Sequence, residues 1–141
     1  MALAALGAGR ALDVCARSLL GGERKTDMHR YEDLVVWRMS VDLAVAIEAA
    51  SNRARRTGGL FNQLRRAAVS IGSNIAEGCG RATDNEFIHF LSIARGSAAE
   101  VDTQLRIAFR SGHLSRASFD PMLASVQRIR WMLTALMRAQ T

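Results

Sequence analysis

Hydrophobic positions at helical spacing fill the chain from Asp33 to its end. Successive apolar side chains lie three or four residues apart, which is the period of an amphipathic α-helix, and no stretch alternates as a strand does. Four such segments follow one another, with short turns of a few residues between them. Short turns force neighbouring helices to run antiparallel. The pattern therefore predicts an all-α fold, an antiparallel up-down-up-down four-helix bundle.

The first predicted helix carries two apolar stripes side by side. One stripe contains Leu34, Trp37, Val41 and Ala44, and the other contains Val36, Met39, Leu43 and Ile47. A helix that is apolar on two faces is covered on both. The other three helices of one bundle cover only one of these faces, so the second face indicates contact with another subunit. We therefore expect a homo-oligomer.

Local signals set the ends of the other helices. The second helix runs from about Leu60 to Glu77, and the glycines at 78–80 end it. A capping box at Thr83–Glu86 begins the third helix, which continues to about Ser111. The fourth helix begins at a serine cap, either Ser115 or Ser118.

Residues 1–27 differ in composition from the rest of the chain. They are rich in alanine and glycine, and charged residues interrupt their apolar stretch, so they lack the unbroken apolar core of a secretory signal. We predict a flexible extension over 1–27 and one bundle domain over 28–141, with the natural start near Met28. No apolar run reaches the ~18 residues of a membrane span, and two isolated cysteines make no disulfide framework. Both observations favour a cytoplasmic protein.

The net charge of +6 is carried almost wholly by arginine, since Lys25 is the single lysine. The surplus reflects either a GC-rich genome or a surface that attracts phosphate, which arginine binds better than lysine does. Its distribution is uneven: no acidic residue lies between Glu48 and Glu77, and the arginines of the last third face only Asp120. These stretches are either a solvated surface with some ion pairs or a nucleic-acid-binding surface. The candidate nucleic-acid-binding residues are Arg53, Arg55, Arg56, Arg65 and Arg66, followed by Arg128, Arg130 and Arg138.

Aromatic side chains are scarce beside these arginines. Five Phe, two Trp and one Tyr are present, and most of them fall on core stripes. Base stacking and sequence-specific readout are therefore not expected. Binding would depend on phosphate contacts and would weaken steeply with salt.

Two lines of polar side chains follow the second and third helices. A catalytic interpretation would use Glu77 and Glu100 as paired carboxylates. We favour a structural interpretation, in which these side chains hydrogen-bond between packed helices and Arg66 neutralises a carboxylate. No nucleophile and base can be paired in the sequence, so no catalytic residue and no cofactor is predicted. The predicted structural polar network contains Arg66, Ser70, Asn74, Glu77, Ser97 and Glu100.

Two further sequence features are weak indications of a metal site or of thiol chemistry. Glu86 and His89 form a Glu-x-x-His motif, half of a di-iron site, but the second motif and the two extra glutamates of such a site are missing, so no metal is predicted. Cys79, between two glycines, is either an exposed and reactive thiol or an ordinary turn residue.

Three segments resemble a known bacterial family. They are DLVVW at 33–37, QLRRAAVSIGSNIAEG at 63–78, and a third-helix segment with EF at 86–87, FLSIARGS at 90–97 and Glu100. Over about residues 28–138 the chain resembles the bacterial four helix bundle protein family. That family includes proteins encoded in intervening sequences of the large ribosomal RNA and accessory variability proteins of diversity-generating retroelements. Gly72 departs from it, since the family very often has proline there.

The resemblance implies a homo-oligomer, in structurally known members a ring of five bundles, a pentamer with a basic surface. The retroelement members bind nucleic acid and partner a reverse transcriptase. Together with the arginine clusters, this predicts a non-enzymatic oligomer that binds RNA or DNA non-specifically, with a reverse transcriptase as the expected partner in a retroelement. The alternative is a protein-interaction module of unknown partner with no nucleic-acid role, in which case the arginine surplus is compositional.

Overall fold

The computed structural model describes residues 30–53 and 58–141. A short 3-10 helix, Tyr31–Asp33, leads into four helices: α1 Val35–Arg53, α2 Gly59–Cys79, α3 Asp84–Arg110 and α4 Arg116–Ala139. These bounds differ from the predicted ones by a few residues at most, and the described ranges contain no strand. The predicted extension over 1–27, with the start at Met28, lies outside the described residues.

Each helix packs against the next one along the chain, and α4 closes the ring of contacts by packing against α1. This arrangement confirms the predicted all-α four-helix bundle. Because the helices follow one another around the bundle, the α1–α2 groove lies on the opposite side from the α3–α4 groove. No helix in the described ranges combines the length and the apolar character that crossing a membrane requires.

A single apolar core fills the space between the four helices. Its largest fully buried side chains include Phe87, Leu91 and Leu105 of α3 and Ile129, Leu133 and Leu136 of α4. Burying one such side chain stabilises the fold by about 1.5–3 kcal/mol. On α1 the stripe through Val36, Leu43 and Ile47 joins this core, whereas the stripe through Trp37, Val41 and Ala44 stays half-buried or exposed.

Side-chain hydrogen bonds cap the two C-terminal helices. Thr83 Oγ1 accepts a hydrogen bond from the Glu86 N–H at 3.2 Å and donates to the Glu86 carboxylate at 2.8 Å. Ser115 caps α4 by accepting from the Ser118 N–H at 3.2 Å, so it is Ser115 that begins this helix. The predicted capping box at the start of α3 is confirmed.

Two glycines let α2 approach its neighbours closely. A Cβ atom at Gly72 would lie 2.9 Å from Ser40 Oγ of α1, and one at Gly78 would lie 2.9 Å from Phe90 Cβ of α3. The predicted glycine stop over 78–80 is confirmed at Gly80, which caps α2 after Cys79, whereas Gly78 still lies inside the helix. Gly78 is instead the point at which α2 and α3 pack.

Candidate nucleic-acid interface

A groove of about 720 Å³ lies between α3 and α4. Arg95 lines it from α3, and Arg130 and Arg138 line it from α4. The other lining residues are Ser92, Gly96, Ala99, Gln127, Trp131, Thr134 and Ala135. None of these lining residues is acidic, so the groove, which we call the arginine groove, concentrates guanidinium groups without a carboxylate on its surface.

Helical spacing and small residues create the arginine groove. Trp131 and Arg138 are seven residues apart, or about two turns, and therefore share one face of α4. Opposite them, α3 presents Gly96 and Ala99, whose small size leaves room between the helices. A Cβ atom at Gly96 would meet no atom within 4 Å, so this part of the groove is open space.

Asp102 forms an ion pair with Arg130, one of the arginines that line the groove. Its carboxylate, only 10% exposed, accepts from Arg106 Nε at 2.6 Å and from Arg130 Nη1 at 3.3 Å. Arg106 is one turn further along α3, whereas Arg130 belongs to α4, so Asp102 also ties the two helices together. Two guanidinium groups offset the desolvation of this carboxylate. Arg130 is therefore oriented by Asp102 while its side chain stays 44% exposed toward the groove.

The groove between α1 and α2 has the opposite chemistry. It also measures about 720 Å³, and we call it the apolar groove, after Val41 and Val45 of α1 and Val69 of α2. Val45 is 63% exposed and Val69 is 59% exposed, although both are large hydrophobic side chains. The charges that line this groove neutralise each other, because Glu48 Oε2 lies 2.8 Å from Arg65 Nε.

The first group of candidate arginines has three different placements. Arg53 ends α1 and Arg66 lies on α2, and both are exposed. Arg65 is engaged within the protein, since it pairs with Glu48 and donates to Asn52 Oδ1 at 2.9 Å. Arg55 and Arg56 lie outside the described residues.

The second group of candidate arginines, Arg128, Arg130 and Arg138, lies on α4 but not on one face of it. Arg130 and Arg138 line the arginine groove, whereas Arg128 is exposed on α4 but does not line the groove. The sequence interpretation missed two lining residues, Arg95 and Trp131. Arg95 stands alone among uncharged neighbours, and its proximity to Arg138 depends on how α3 pairs with α4. Trp131 is not one of the aromatic residues on the core stripes, since it is 48% exposed.

The structure joins three of the six residues of the predicted polar network. Ser70 Oγ of α2 and Ser97 Oγ of α3 lie 2.9 Å apart, and Asn74 donates to both the carbonyl and the hydroxyl of Ser70. Glu77 pairs with Arg81 at the end of α2 instead. The remaining members, Arg66 and Glu100, are exposed. The geometry thus places a small hydrogen-bonded contact between α2 and α3.

Cys79 is buried at the end of α2, where it is 7% exposed. Burial of the thiol, with a smaller contribution from the negative charge of Glu32, raises the pKa of Cys79 to about 11. A thiol that keeps its proton is a poor nucleophile. The interpretation of Cys79 as an exposed, reactive thiol is therefore wrong.

The side chains of the Glu-x-x-His motif make a helix cap and an aromatic contact. The Glu86 carboxylate belongs to the cap of α3, and the His89 ring contacts Phe90 edge-on at 5.5 Å between centroids. Across residues 30–53 and 58–141, no three His, Cys, Asp or Glu side chains cluster in a way that could hold a metal ion.

Comparison with known proteins identifies a family and supports the fold. The family model of the 23S rRNA-intervening sequence protein matches residues 32–135. A crystal structure from Bacteroides thetaiotaomicron VPI-5482, described as a protein with unknown function from the S23 ribosomal protein family, superposes with a TM-score of 0.69. It is 24% identical, and the match covers 74% of this chain and 99% of that one, so it supports the fold alone. No curated protein matches the chain. Neither match indicates a catalytic family.

Proposed function

Because the chain belongs to the 23S rRNA-intervening sequence protein family, we propose that it is a non-enzymatic, oligomeric bundle that binds RNA or DNA. The arginine groove carries this proposal. It gathers Arg95, Arg130 and Arg138 from two helices, with no acidic residue among the described residues that line it. The planar guanidinium group matches the geometry of a phosphate and donates two hydrogen bonds to it.

Binding at this groove would be non-specific. Contacts to phosphate oxygens position a protein on nucleic acid without reading its sequence. Each phosphate that an arginine neutralises releases counterions, so affinity falls as salt concentration rises. The Asp102 contact orients the Arg130 guanidinium group, which still reaches the groove, while the Asp102 carboxylate offsets part of its positive charge.

The apolar groove supports the oligomeric part of the proposal. Exposed apolar patches of this kind mark surfaces that bind other proteins. We propose a second copy of the chain as the occupant, in the ring of five bundles that the family resemblance implies. A ring would present several arginine grooves to one nucleic-acid strand, and the linked contacts would raise the overall affinity without any new contact. In a retroelement, a reverse transcriptase would be the further partner.

The same apolar groove favours a second candidate function. A protein-interaction module would use Val45 and Val69 to hold an unrelated partner, and the arginine surplus would then be compositional. This candidate predicts that the chain does not bind nucleic acid at low salt. Nucleic-acid binding at two salt concentrations therefore separates the two functions.

The test uses the full chain and fluorescently labelled 20-nucleotide RNA and DNA, with binding followed by anisotropy at 50 and 200 mM NaCl. Three phosphate contacts on one subunit would weaken binding about 20- to 40-fold across that range. Light scattering on the same sample gives the oligomeric state. An intact oligomer that binds no nucleic acid at 50 mM NaCl contradicts the proposal and favours the protein-interaction module.

Two matched double variants locate the binding surface. Arg95→Ala with Arg138→Ala removes two charges from the arginine groove, and Arg53→Ala with Arg66→Ala removes two charges from exposed positions outside it. We expect the first variant to lose about tenfold or more in affinity, because two of the three expected phosphate contacts disappear. The second variant should lose less. The reverse order would move the binding surface to α1 and α2.

A further inference from the structure

Trp131 is the one aromatic residue among the exposed large hydrophobic side chains of the described chain. The others are valine and isoleucine residues. Trp37 shows the alternative, since it is half-buried and contacts the Tyr31 ring at 5.1 Å between centroids. Trp131 instead leaves 48% of its surface to solvent at the wall of the arginine groove. An indole kept out of the core at a charged groove is available to a ligand.

Three arginines line the same groove as this indole. Arg138 lies about two turns, or ~10 Å, further along the same face of α4. Arg95 lines the groove from α3, and Arg130 is the neighbour of Trp131 in sequence and is fixed by Asp102. An aromatic face flanked by phosphate-binding groups is the combination with which proteins hold single-stranded nucleic acid.

A duplex cannot use this combination fully. Its bases are stacked on one another, so it offers phosphates to the arginines but no free base face to Trp131. A single strand offers both. The groove volume of about 720 Å³ lies within the range of ordinary ligand sites, ~300–1,000 Å³, so a base and its sugar fit in it.

We propose that the arginine groove binds a single strand of RNA or DNA, with one base stacked on Trp131 and neighbouring phosphates held by Arg95 and Arg138. This inference rests on the proposed function and narrows it to unpaired strands. Because every base has an aromatic face, the stacking is tolerant of sequence. The proposal differs at this one position from the expectation, based on the scarcity of aromatic residues, that bases are not stacked.

The test compares Trp131→Ala and Trp131→Phe in the full chain, with Trp37→Phe as the tryptophan control. Because Trp37 lines the apolar groove, light scattering checks that Trp37→Phe keeps the oligomeric state of the unmodified chain. The probes are labelled oligo(dT) and oligo(U) of 20 nucleotides and a 20-base-pair DNA duplex. We expect Trp131→Ala to weaken single-strand binding roughly 5- to 150-fold, the range for one stacked base. Trp131→Phe keeps a ring and should recover most of that loss. Duplex binding should change less than about twofold, since it uses phosphate contacts alone.

Fluorescence gives a second readout that a merely structural role would not produce. In the Trp37→Phe chain, Trp131 is the single tryptophan, and oligo(dT) or oligo(U) should quench its emission, whereas the duplex should not. The two single-stranded probes show which sugar the groove prefers. Equal binding of duplex and single strand, unchanged by Trp131→Ala, overturns the single-strand inference and leaves the proposed function standing. Absence of binding to every probe at 50 mM NaCl overturns both.

Discussion

The apolar groove and the arginine groove have the same volume, about 720 Å³, and lie on opposite sides of one bundle, yet they present opposite chemistry. Valine side chains, the half-buried Tyr31 and Trp37 rings and one neutralised ion pair line the first. Three arginines and an exposed tryptophan line the second. The bundle architecture is common to both sides, so the difference comes from the surface positions of the helices and not from the fold.

The two sides also differ in how their helices are joined. At Gly72, α1 and α2 come so close that a Cβ atom would lie 2.9 Å from Ser40 Oγ. Between α3 and α4 an ion pair, Asp102 with Arg130 at 3.3 Å, is added to the shared apolar core, and Gly96 faces open space. The first side is the one we propose for apolar contact with a second copy of the chain, and the second is the one we propose for nucleic acid. The following variants test this division.

The largest expected effect is on assembly. Val45→Asp with Val69→Asp places two charges in the apolar groove, and we expect self-association to weaken about a thousandfold or more, because a buried carboxylate without a partner costs several kcal/mol. Both side chains are exposed in the single chain, so the free energy of unfolding of the monomer should change little. Light scattering and urea unfolding measure the two quantities.

Ile107→Asp is the matched control, since Ile107 is an exposed apolar residue of α3 that lies outside the apolar groove. It should leave the oligomer intact. Dissociation by Ile107→Asp, or an intact oligomer in the double variant, would show that the apolar groove is not the assembly surface.

The second effect concerns the buried thiol of Cys79 at the end of α2. In a Cys15→Ser background, Cys79 should react with iodoacetamide at pH 8 about a hundredfold more slowly in the folded protein than in urea. The reason is that burial raises its pKa from 9.0 to about 11, which lowers the thiolate fraction. Labelling rates with and without urea measure this. Equal rates would mean that the end of α2 opens readily.

The same shift of the Cys79 pKa gives a pH dependence with a defined sign. The folded state keeps the thiol proton up to about pH 11, while the unfolded state loses it above about pH 9. The contribution of the Cys79 thiol to the free energy of unfolding is therefore fully present below pH 9. It falls by roughly 3 kcal/mol as the pH rises to 11. Urea unfolding of the Cys79 and Cys79→Ala chains, both with Cys15→Ser, should show a difference that shrinks between pH 8 and pH 10.5.

The third effect tests the charge of the arginine groove. Asp102→Asn keeps the shape of the side chain but removes its charge, so we expect the free energy of unfolding to fall by about 1–3 kcal/mol. Affinity for oligo(dT) at 50 mM NaCl should rise about two- to tenfold, because Arg106 and Arg130 are no longer neutralised. Anisotropy and urea unfolding measure both.

Asp120→Asn is the control for this variant. It removes the same charge from an exposed pair with Arg116, 3.7 Å apart, and should alter stability by less than about 0.5 kcal/mol. If Asp102→Asn weakens binding while Asp120→Asn does not, the orientation that Asp102 gives to Arg130 matters more than the charge that it removes.

The fold was predictable from the sequence to within a few residues because the deciding signals are local. The apolar period, the Thr83 cap and the glycine turns each act within one helix or turn. Gly78 was misinterpreted because its role depends on a residue of another helix, Phe90. Local signals do not show how close two helices come.

The candidate site was less predictable because grooves form between helices. Arg130 and Arg138 could be chosen from the charge pattern, but Arg95 and Trp131 join them only through the antiparallel pairing of α3 with α4. Asp102 was missed for the same reason. Arg106, four residues later on the same helix, could have indicated an ion pair with Asp102. Arg130 belongs to α4, and only the three-dimensional structure brings it to the same carboxylate.

The smallest expected effect is on stability, when one glycine of each groove is replaced by alanine. Gly96→Ala should stabilise the protein by up to about 1 kcal/mol, because alanine favours a helix and the new methyl group meets open space. Gly72→Ala should be about 1–3 kcal/mol less favourable than Gly96→Ala. Its methyl group presses on Ser40 Oγ, which a 2.6 Å hydrogen bond to the Trp37 carbonyl keeps in place.

Urea unfolding of both alanine variants measures the difference, and Ser40→Ala supplies the decisive comparison. Ser40→Ala with Gly72→Ala removes the oxygen that the new methyl group contacts, so most of the Gly72→Ala cost should disappear in the double variant. Additive effects would place the close approach elsewhere than at Ser40. Recovery would show that α1 and α2 meet at Gly72 tightly enough to reject one methyl group, while α3 and α4 accept one at Gly96. The side proposed for assembly would then be closely packed at Gly72, and the side proposed for nucleic acid would be open at Gly96.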